Sequence, residues 1–264
     1  MIKEKFNQMI TPTGYAKRLA LKDILRDLGE ISTLVDAGSS GGFHLNWITA
    51  DRKIGLDLLP PECQEGVDGV KCDIRFMPIG NNVCDCLMCL DVIEHIVEDK
   101  QVLREFQRVL TENGTLVLTT PNDSEFMPYK FLRSVMRVET PKMHCKFGHV
   151  RPGYSKGDLV QLIQSNGFEI VYYRSFSQPL IRILDTFYLY FLLFAIGKYI
   201  ESSPENAHKI RGRGKLLRII ENAHDLLFRI IVAPTIRNNE SSGKNGWIHL
   251  LVCKKISAKG MAQV

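Results

Sequence analysis

The segment Val35-Asp36-Ala37-Gly38-Ser39-Ser40-Gly41-Gly42 decides the fold of this 264-residue chain. A β-branched run from Ile31 to Val35 leads into it and predicts a buried strand. The apolar residues of 43–48 then recur at helical spacing, so the pattern predicts a strand, a glycine-rich turn and the start of a helix. Because glycine lacks a Cβ, such a turn tolerates positive φ and lets a ligand approach the backbone closely. The free N–H groups of a helix N-terminus would favour a ligand that carries a carboxylate or a phosphate.

The spacing of the glycines narrows the choice of ligand. A dinucleotide-binding turn has the pattern G-x-G-x-x-G, and Gly38, Gly41 and Gly42 do not fit it. The segment resembles the D-x-G-x-G-x-G turn of the class I S-adenosylmethionine (SAM)-dependent methyltransferases, with Ser40 in place of the middle glycine. This resemblance implies that Asp36, Gly38, Ser40 and Gly42 bind SAM. An ordinary tight turn of an α/β protein is the alternative that this segment alone leaves open.

A second strand, predicted over 53–57, ends in an acidic residue. Asp57 follows the glycine turn by about 20 residues, the distance at which a carboxylate accepts hydrogen bonds from ribose hydroxyls. The two acceptor oxygens of a carboxylate suit the two hydroxyls of a vicinal diol. The alternative interpretation is that Asp57 is a solvent-facing residue in the loop before Pro60. We predict that Asp57 and the adjacent Leu58 belong to the cofactor site.

Three later segments extend the resemblance. Residues 72–78 resemble the family's D-x-x-x-L-P segment, which implies that Asp73 accepts from the adenine amino group and that Ile74 packs on the ring. A fourth strand, predicted over 83–90, ends at Leu90, a further predicted cofactor residue, and is followed by the family's E-H pair. Residues 108–122 closely resemble the motif RVLKPGGxLxLTTPN.

The order and spacing of these motifs over 14–174 imply the fold. We expect an α/β, Rossmann-like, doubly wound sheet of seven strands whose last strand is antiparallel, with a helical insertion before that strand. The expected domains are a SAM-binding core with an N-terminal helix over 1–177, an insertion over 178–245, and a final core strand with the tail over 246–264.

The insertion at 178–245 combines apolar and basic stretches. The uncharged run at 186–197 is too short for the roughly 20 residues that span a bilayer. A second apolar helix, predicted over 215–232, is interspersed with basic residues. The pattern is typical of a cap over an apolar substrate or of an interfacial membrane anchor, and a dimerisation surface is a further alternative.

Two histidines are candidate catalytic residues. His95 follows the fourth strand, and an imidazole is the side chain that most often serves as a general base. His149 and Arg151 resemble the H-x-R of a family loop that edges the substrate. Asp91, Glu94 and His95 resemble the metal site of the ubiquinone-biosynthesis O-methyltransferases. The favoured interpretation is that Glu94 and His95 orient the loop around the sulfonium, and no metal is predicted.

The cysteines and the net charge indicate where the protein is located and what it could bind. The seven cysteines are scattered, and the charged N-terminal stretch lacks a secretory pattern. Both features predict reduced thiols and a cytoplasmic protein, which could also associate with a membrane. Cys84, Cys86 and Cys89 are expected to be core residues, because Cys86 and Cys89 would point to opposite faces of a strand. The net charge of +5 comes from the late segment 198–255.

The predicted function is SAM-dependent methyl transfer to a small acceptor, lipophilic or lipid-linked. A membrane surface is a possible partner, the oligomeric state stays open, and a nucleic-acid acceptor is not favoured because an N-P-P-Y-type motif is absent after the fourth strand. A non-catalytic SAM-binding or scaffold protein of the same fold is the alternative. A nicotinamide-dependent oxidoreductase ranks below both.

Overall fold

The computed structural model describes residues 12–40, 42–59, 65–123, 150–176, 246 and 248–256. The chain divides into two compact units, of which the first comprises Met1–Leu21, Phe126–Val138 and Ser177–Lys244. The second unit comprises Lys22–Glu125, Glu139–Phe176 and Asn245–Val264, and it contains every strand described below. The predicted insertion at 178–245 lies outside the described residues, so its apolar and basic helices stay a prediction.

Seven strands form one sheet in the order β3-β2-β1-β4-β5-β7-β6. Strands β1 to β5 pair in parallel, and β7 runs antiparallel to both of its neighbours, β5 and β6. The strands are β1 Thr33–Ala37, β2 Arg52–Asp57, β3 Asp68–Lys71, β4 Cys84–Leu90, β5 Leu110–Pro121, β6 Phe168–Phe176 and β7 Ile248–Lys255. The predicted sheet with an antiparallel last strand is confirmed.

The central strands are buried on both faces, which explains their nearly continuous apolar sequences. In β4, Cys86 is 1% exposed and Cys89 is fully buried, as expected for core residues. None of the five cysteines in the described part of the chain forms a disulfide. Since small thiol side chains pack as hydrophobes, the buried cysteines of β4 belong to the core of the sheet.

The described part of the chain contains three α-helices: α1 Pro12–Arg26, α2 Asp99–Val109 and α3 Lys156–Ser165. Helix α2 buries one apolar face, formed by Val102, Leu103, Phe106 and Val109. Helix α3 begins after Ser155, whose Oγ caps the helix by accepting a hydrogen bond from Asp158 N at 3.1 Å. Among the described residues, no helix combines the length and apolar character needed to cross a bilayer.

The helix predicted after the glycine turn is a 3-10 helix of five residues, Phe43–Trp47. Its brevity has a physical cause: Asp51 N donates to Ile31 O and Arg52 N to Ser32 O, so the chain already returns to the start of β1. The expectation of an anion site at an α-helix N-terminus was therefore wrong. So short a 3-10 helix supplies little of the dipole that such a site requires.

Strand β5 is irregular near its start. Its register against β4 jumps from the pair Cys84 and Leu110 to the pair Cys86 and Thr115. Asn113 and Gly114 therefore lie in an irregularity within β5. Gly114 is needed there because a Cβ would lie 2.9 Å from Leu110 Cδ2 and 3.1 Å from Cys84 O.

Candidate functional site

A pocket of about 430 Å³ lies at the carboxyl ends of the parallel strands. Strand β1 lies between β2 and β4, so the strand order reverses at this point. Open α/β sheets bind ligands in the crevice at such a reversal, and the volume is in the range of small-ligand pockets. The pocket is lined by residues that end or follow β1 to β4, namely Gly38, 57–58, 72–75, Val92 and 95–98.

The glycine turn is fixed against two neighbouring strands. Gly38 N and Ser39 N both donate to Leu56 O of β2, at 2.8 and 2.9 Å. Gly38 has a φ of +85°, and a Cβ there would lie 2.4 Å from Val92 Cγ2. Glycine is therefore required at this position for two reasons: the backbone is left-handed, and the segment after β4 approaches it closely.

Ser40 and Gly42 also adopt left-handed backbone conformations. Their φ values are +49° and +69°, the region that glycine adopts most readily. This explains physically why a glycine is usual at the position of Ser40. The backbone N–H of Ser40 donates to Asp57 Oδ2 at 2.8 Å, so the turn is tied directly to the end of β2.

The Asp57 carboxylate is held in place by backbone donors. Its Oδ2 accepts from Ser40 N at 2.8 Å and its Oδ1 accepts from Leu59 N at 3.1 Å. Each carboxylate oxygen has two acceptor positions, so both oxygens keep capacity for a further donor. Asp57 therefore presents a fixed pair of acceptors at the pocket wall, as binding of a vicinal diol requires.

The nine predicted cofactor residues divide into two groups. The pocket is lined by Gly38, Asp57, Leu58, Asp73 and Ile74. The other four lie next to it in the chain without lining it: Asp36, Ser40, Gly42 and Leu90. Of these, Asp36 is 1% exposed and Leu90 is 6% exposed, so both are enclosed by the ends of the central strands.

Asp73 has a partner that the sequence did not indicate. Arg75 donates through Nε and Nη2 to both carboxylate oxygens of Asp73, and through Nη1 to Glu98 Oε2 at 2.7 Å. The hydrogen bonds from Arg75 hold the pKa of Asp73 below its usual value. Asp73, Arg75 and Glu98 all line the pocket.

His95 lines the pocket, whereas the two preceding acidic residues are engaged elsewhere. It ends a short 3-10 helix, Ile93–His95, and its backbone N donates to Val92 O at 2.9 Å. Asp91 accepts from Thr119 Oγ1 at 2.7 Å, and the fully buried Glu94 accepts from Thr120 Oγ1 at 3.2 Å. Within the described ranges, no group of three or more His, Cys, Asp or Glu side chains could hold a metal ion.

His149 lies outside the described residues, but Arg151 is described and supports the pocket wall. Its guanidinium donates to Asp99, to Ile96 O at 2.8 Å and to Val97 O at 3.1 Å. It also lies over the ring of Tyr154. Because Ile96 and Val97 line the pocket, Arg151 supports that wall without lining the pocket itself, and its predicted place beside the substrate stays a prediction.

His249 is a buried polar residue that the sequence analysis did not single out. Its Nε2 is 2.9 Å from Tyr154 O and its Nδ1 is 2.8 Å from Tyr173 OH. A carbonyl only accepts, so Nε2 donates and Nδ1 accepts from the tyrosine hydroxyl. Burial lowers the pKa of His249 and raises that of Tyr173, which favours this neutral pairing. In the sequence, this buried polar position is marked by a histidine within the otherwise apolar run 248–253.

Comparison with known proteins agrees with the fold. Residues 35–118 match the family described as Methyltransferase domain. No curated protein matches closely enough to count as a relative. A SAM-dependent methyltransferase from Mesorhizobium loti is similar in structure, with a TM-score of 0.53 at 14% identity over 92% of this chain and 100% of that chain.

Two further solved structures show the same fold. The YcgJ protein from Bacillus subtilis gives a TM-score of 0.50 at 12% identity, over 92% of this chain and 99% of that one. The (4+2)-cyclase SpnF gives 0.53 at 16% identity, over 90% and 82%. Residues 35–118 are therefore similar to a methyltransferase domain, and the predicted resemblance to the class I methyltransferase superfamily is confirmed.

Proposed function

We propose that this chain binds SAM in the pocket at the ends of β1 to β4 and transfers its methyl group to a small, lipophilic or lipid-linked acceptor. The observation that carries the proposal is the placement of the fixed Asp57 carboxylate beside the Gly38 turn in one pocket. The matched methyltransferase domain covers both residues.

The chemistry of the lining fits an adenosyl group. Leu58, Ile74 and Val97 supply apolar surface for a flat ring. Asp57 supplies two acceptors for the ribose hydroxyls, and Asp73 a carboxylate for an amino group. The backbone at Gly38 carries no side chain, which lets the methionine part of the ligand pass close to the turn.

Bound SAM would supply an electrophilic methyl group on its sulfonium. The protein's own task is then to hold the acceptor in line with that methyl group and to exclude water. Orientation of this kind supplies most of the rate enhancement when the electrophile is already reactive. His95, which lines the same pocket, would accept the proton that the acceptor's nucleophile releases.

The acceptor class rests on the sequence of the insertion. Residues 178–245 combine an uncharged aromatic-rich run with a basic amphipathic stretch. Such a combination favours a lipophilic ligand or an anionic lipid surface over a freely soluble, polar acceptor. We accordingly propose a cytoplasmic protein that works at or near a membrane surface.

The test is product formation. The purified full-length chain is incubated with methyl-labelled SAM and a lipid extract, and both S-adenosylhomocysteine and labelled lipid are measured. We expect S-adenosylhomocysteine to accumulate with label in the organic phase. Accumulation only with polar extracts would contradict the lipophilic acceptor, and no turnover with any extract would contradict the methyltransferase itself.

A protein that binds SAM without transferring its methyl group is the second candidate. It stays open because a protein named as a (4+2)-cyclase shares this fold. Binding of SAM without any turnover would favour this candidate. Tight binding of NAD instead of SAM would favour a nicotinamide-dependent enzyme and would exclude both proposals.

A further inference from the structure

One face of helix α2 is devoted to holding the segment that follows β3. Met77 N donates to Glu105 Oε2 at 2.9 Å, and Gln101 Nε2 donates to Arg75 O at 3.5 Å. Arg108 donates to Met77 O at 2.9 Å and to Ile79 O at 2.7 Å. We call residues 75–79 the strap, because this helix face fastens them along their length.

The spacing of the helix residues shows that the contact is continuous. Glu98, Gln101, Glu105 and Arg108 follow one another at intervals of three or four residues, so they share one face of the helix. The contact near the end of the helix is buttressed by the pair of Arg108 and Glu105, which lies at 2.8 Å. At the other end, Glu98 precedes the helix and reaches the pocket.

Arg75 connects the strap to the pocket. Its backbone N donates to Asp73 Oδ1 at 2.9 Å, and its Nη2 donates to Asp73 Oδ2 at 2.7 Å. Its Nε lies 3.1 and 3.0 Å from the two oxygens, so one planar guanidinium engages both. The remaining Nη1 donates to Glu98 Oε2 at 2.7 Å.

The solvent exposure of this ion pair indicates that it matters more for orienting a carboxylate than for the stability of the fold. The Asp73 and Arg75 side chains are each about one third exposed, at 31% and 33%. Ion pairs that are this accessible to water contribute little to stability. Their effect on orientation is larger, because a bidentate guanidinium fixes the plane of a carboxylate that would otherwise rotate.

We propose that Arg75 is a positioning residue for adenine recognition: it fixes the Asp73 carboxylate so that it accepts the amino group of the ring, and links it through Glu98 to helix α2. The inference rests on the proposed function, since it concerns the adenosyl end of that same pocket. Arg75 itself need not contact the ligand, because it acts through Asp73.

The test compares two ligands that differ at the amino group. S-adenosylhomocysteine carries this group, and S-inosylhomocysteine has an oxygen in its place. Titration calorimetry of the full-length chain measures both dissociation constants for the unchanged protein and for Arg75→Gln, Arg75→Lys and Glu98→Gln. Arg52→Gln is the matched control, because Arg52 pairs with Asp68 at 3.1 Å and neither lines the pocket.

We expect Arg75→Gln to weaken the binding of S-adenosylhomocysteine by about tenfold and the binding of the inosine analogue much less. Arg75→Lys, which keeps the charge without the planar fork, should fall between, and Glu98→Gln should give a smaller loss in the same direction. Arg52→Gln should change neither constant. Thermal unfolding of each variant checks the fold, and should Arg75→Gln not fold, the lysine and Glu98 variants decide the question.

Two results would overturn the inference. Equal weakening of both ligands would mean that Arg75 only supports the structure. Unchanged or tighter binding of S-adenosylhomocysteine would mean that Arg75 competes with the ligand for Asp73. If the unchanged protein binds neither ligand, the proposed function itself fails and this inference falls with it.

Discussion

At the scale of single residues, Gly38 carries two requirements that can be measured separately. Alanine at this position would be strained by the φ of +85° and would bring a Cβ to 2.4 Å from Val92 Cγ2. Overpacking of this kind typically costs about 1–3 kcal/mol. We predict that Gly38→Ala lowers the free energy of unfolding by that amount and abolishes SAM binding, as measured by urea unfolding and calorimetry.

Gly29→Ala is the matched control for Gly38. Gly29 has a similar φ of +77°, but a Cβ there would meet nothing within 4 Å. It therefore reports the backbone strain alone, and the difference between the two variants reports the contact with Val92. Equal losses in both would contradict the close packing described for the turn.

Ser40 shows a residue-level compromise in the same turn. Its φ of +49° costs an L-residue about 1–2 kcal/mol. Glycine would relieve this strain, but part of the gain would be offset because a glycine has greater conformational freedom in the unfolded chain. We predict that Ser40→Gly raises the free energy of unfolding by about 0.5–1 kcal/mol in urea unfolding. Ser32→Gly, at an exposed position without positive φ, should lower it, and a stabilising Ser32→Gly would show that the effect is not specific to the turn.

His95 is the residue on which the proposed proton transfer depends. General-base catalysis contributes about 10²–10⁴-fold to a rate. We predict that His95→Ala lowers kcat within that range, measured as S-adenosylhomocysteine formed per bound SAM. His44→Ala is the control because His44 does not line the pocket. Unchanged turnover in His95→Ala would remove the base from the mechanism.

At the scale of elements, the hydrogen bonds of His249 connect β7 with β6 and with Tyr154, two residues before α3. His249 is fully buried, and desolvation lowers its pKa from the usual 6.5. The unfolded chain therefore takes up a proton more readily than the folded one. The resulting stability is complete above about pH 6.5 and is lost as the pH falls toward the lowered folded value.

A substitution at His249 tests this pH dependence. We predict that His249→Gln, which retains a donor for Tyr154 O, loses part of the fall in unfolding free energy between about pH 7.5 and 5.5 that the unchanged protein shows. Tyr173→Phe removes the hydroxyl but keeps the imidazole, so its fall should persist. Urea unfolding at both pH values measures the effect, and an identical fall in His249→Gln would contradict it.

The elements also show where sequence reasoning succeeds and where it stops. Strands β1, β2 and β4 were predicted to within two residues, because a strand that is buried on both faces must be apolar along its length. The short 3-10 helix after Gly42 was missed because its length is set by the start of β2 at Arg52. That constraint is absent from the local pattern.

The polar face of helix α2 was missed for a different reason. Its buried apolar positions, such as Phe106, recur in the sequence at helical spacing. Its polar positions look like an ordinary solvated surface, since Glu105 and Arg108 bind mainly the backbone N and O atoms of the strap. Backbone atoms carry no sequence signal, so neither the strap nor the contacts of Arg75 could be predicted.

At the scale of the whole molecule, the order of the strands creates the site. Gly38, Asp57 and Asp73 are separated in sequence but follow successive neighbouring strands, and the reversal of strand order at β1 opens a crevice beside them. The resemblance therefore predicted the fold that brings these three residues to one pocket, and their binding of a cofactor stays a proposal. His149 and the insertion at 178–245 lie outside the described residues, so the acceptor side stays a proposal.

The central claim, that this pocket binds SAM, is tested most directly by titration calorimetry of the full-length chain with SAM, S-adenosylhomocysteine and NAD. Asp57→Ala removes the fixed acceptors at the pocket wall, and Asp68→Ala is the control on the neighbouring strand, outside the pocket. We predict binding of the first two ligands, weakened by about 10- to 100-fold in Asp57→Ala and unchanged in Asp68→Ala. Binding of NAD in their place, or of SAM with equal affinity to both variants, would contradict the account.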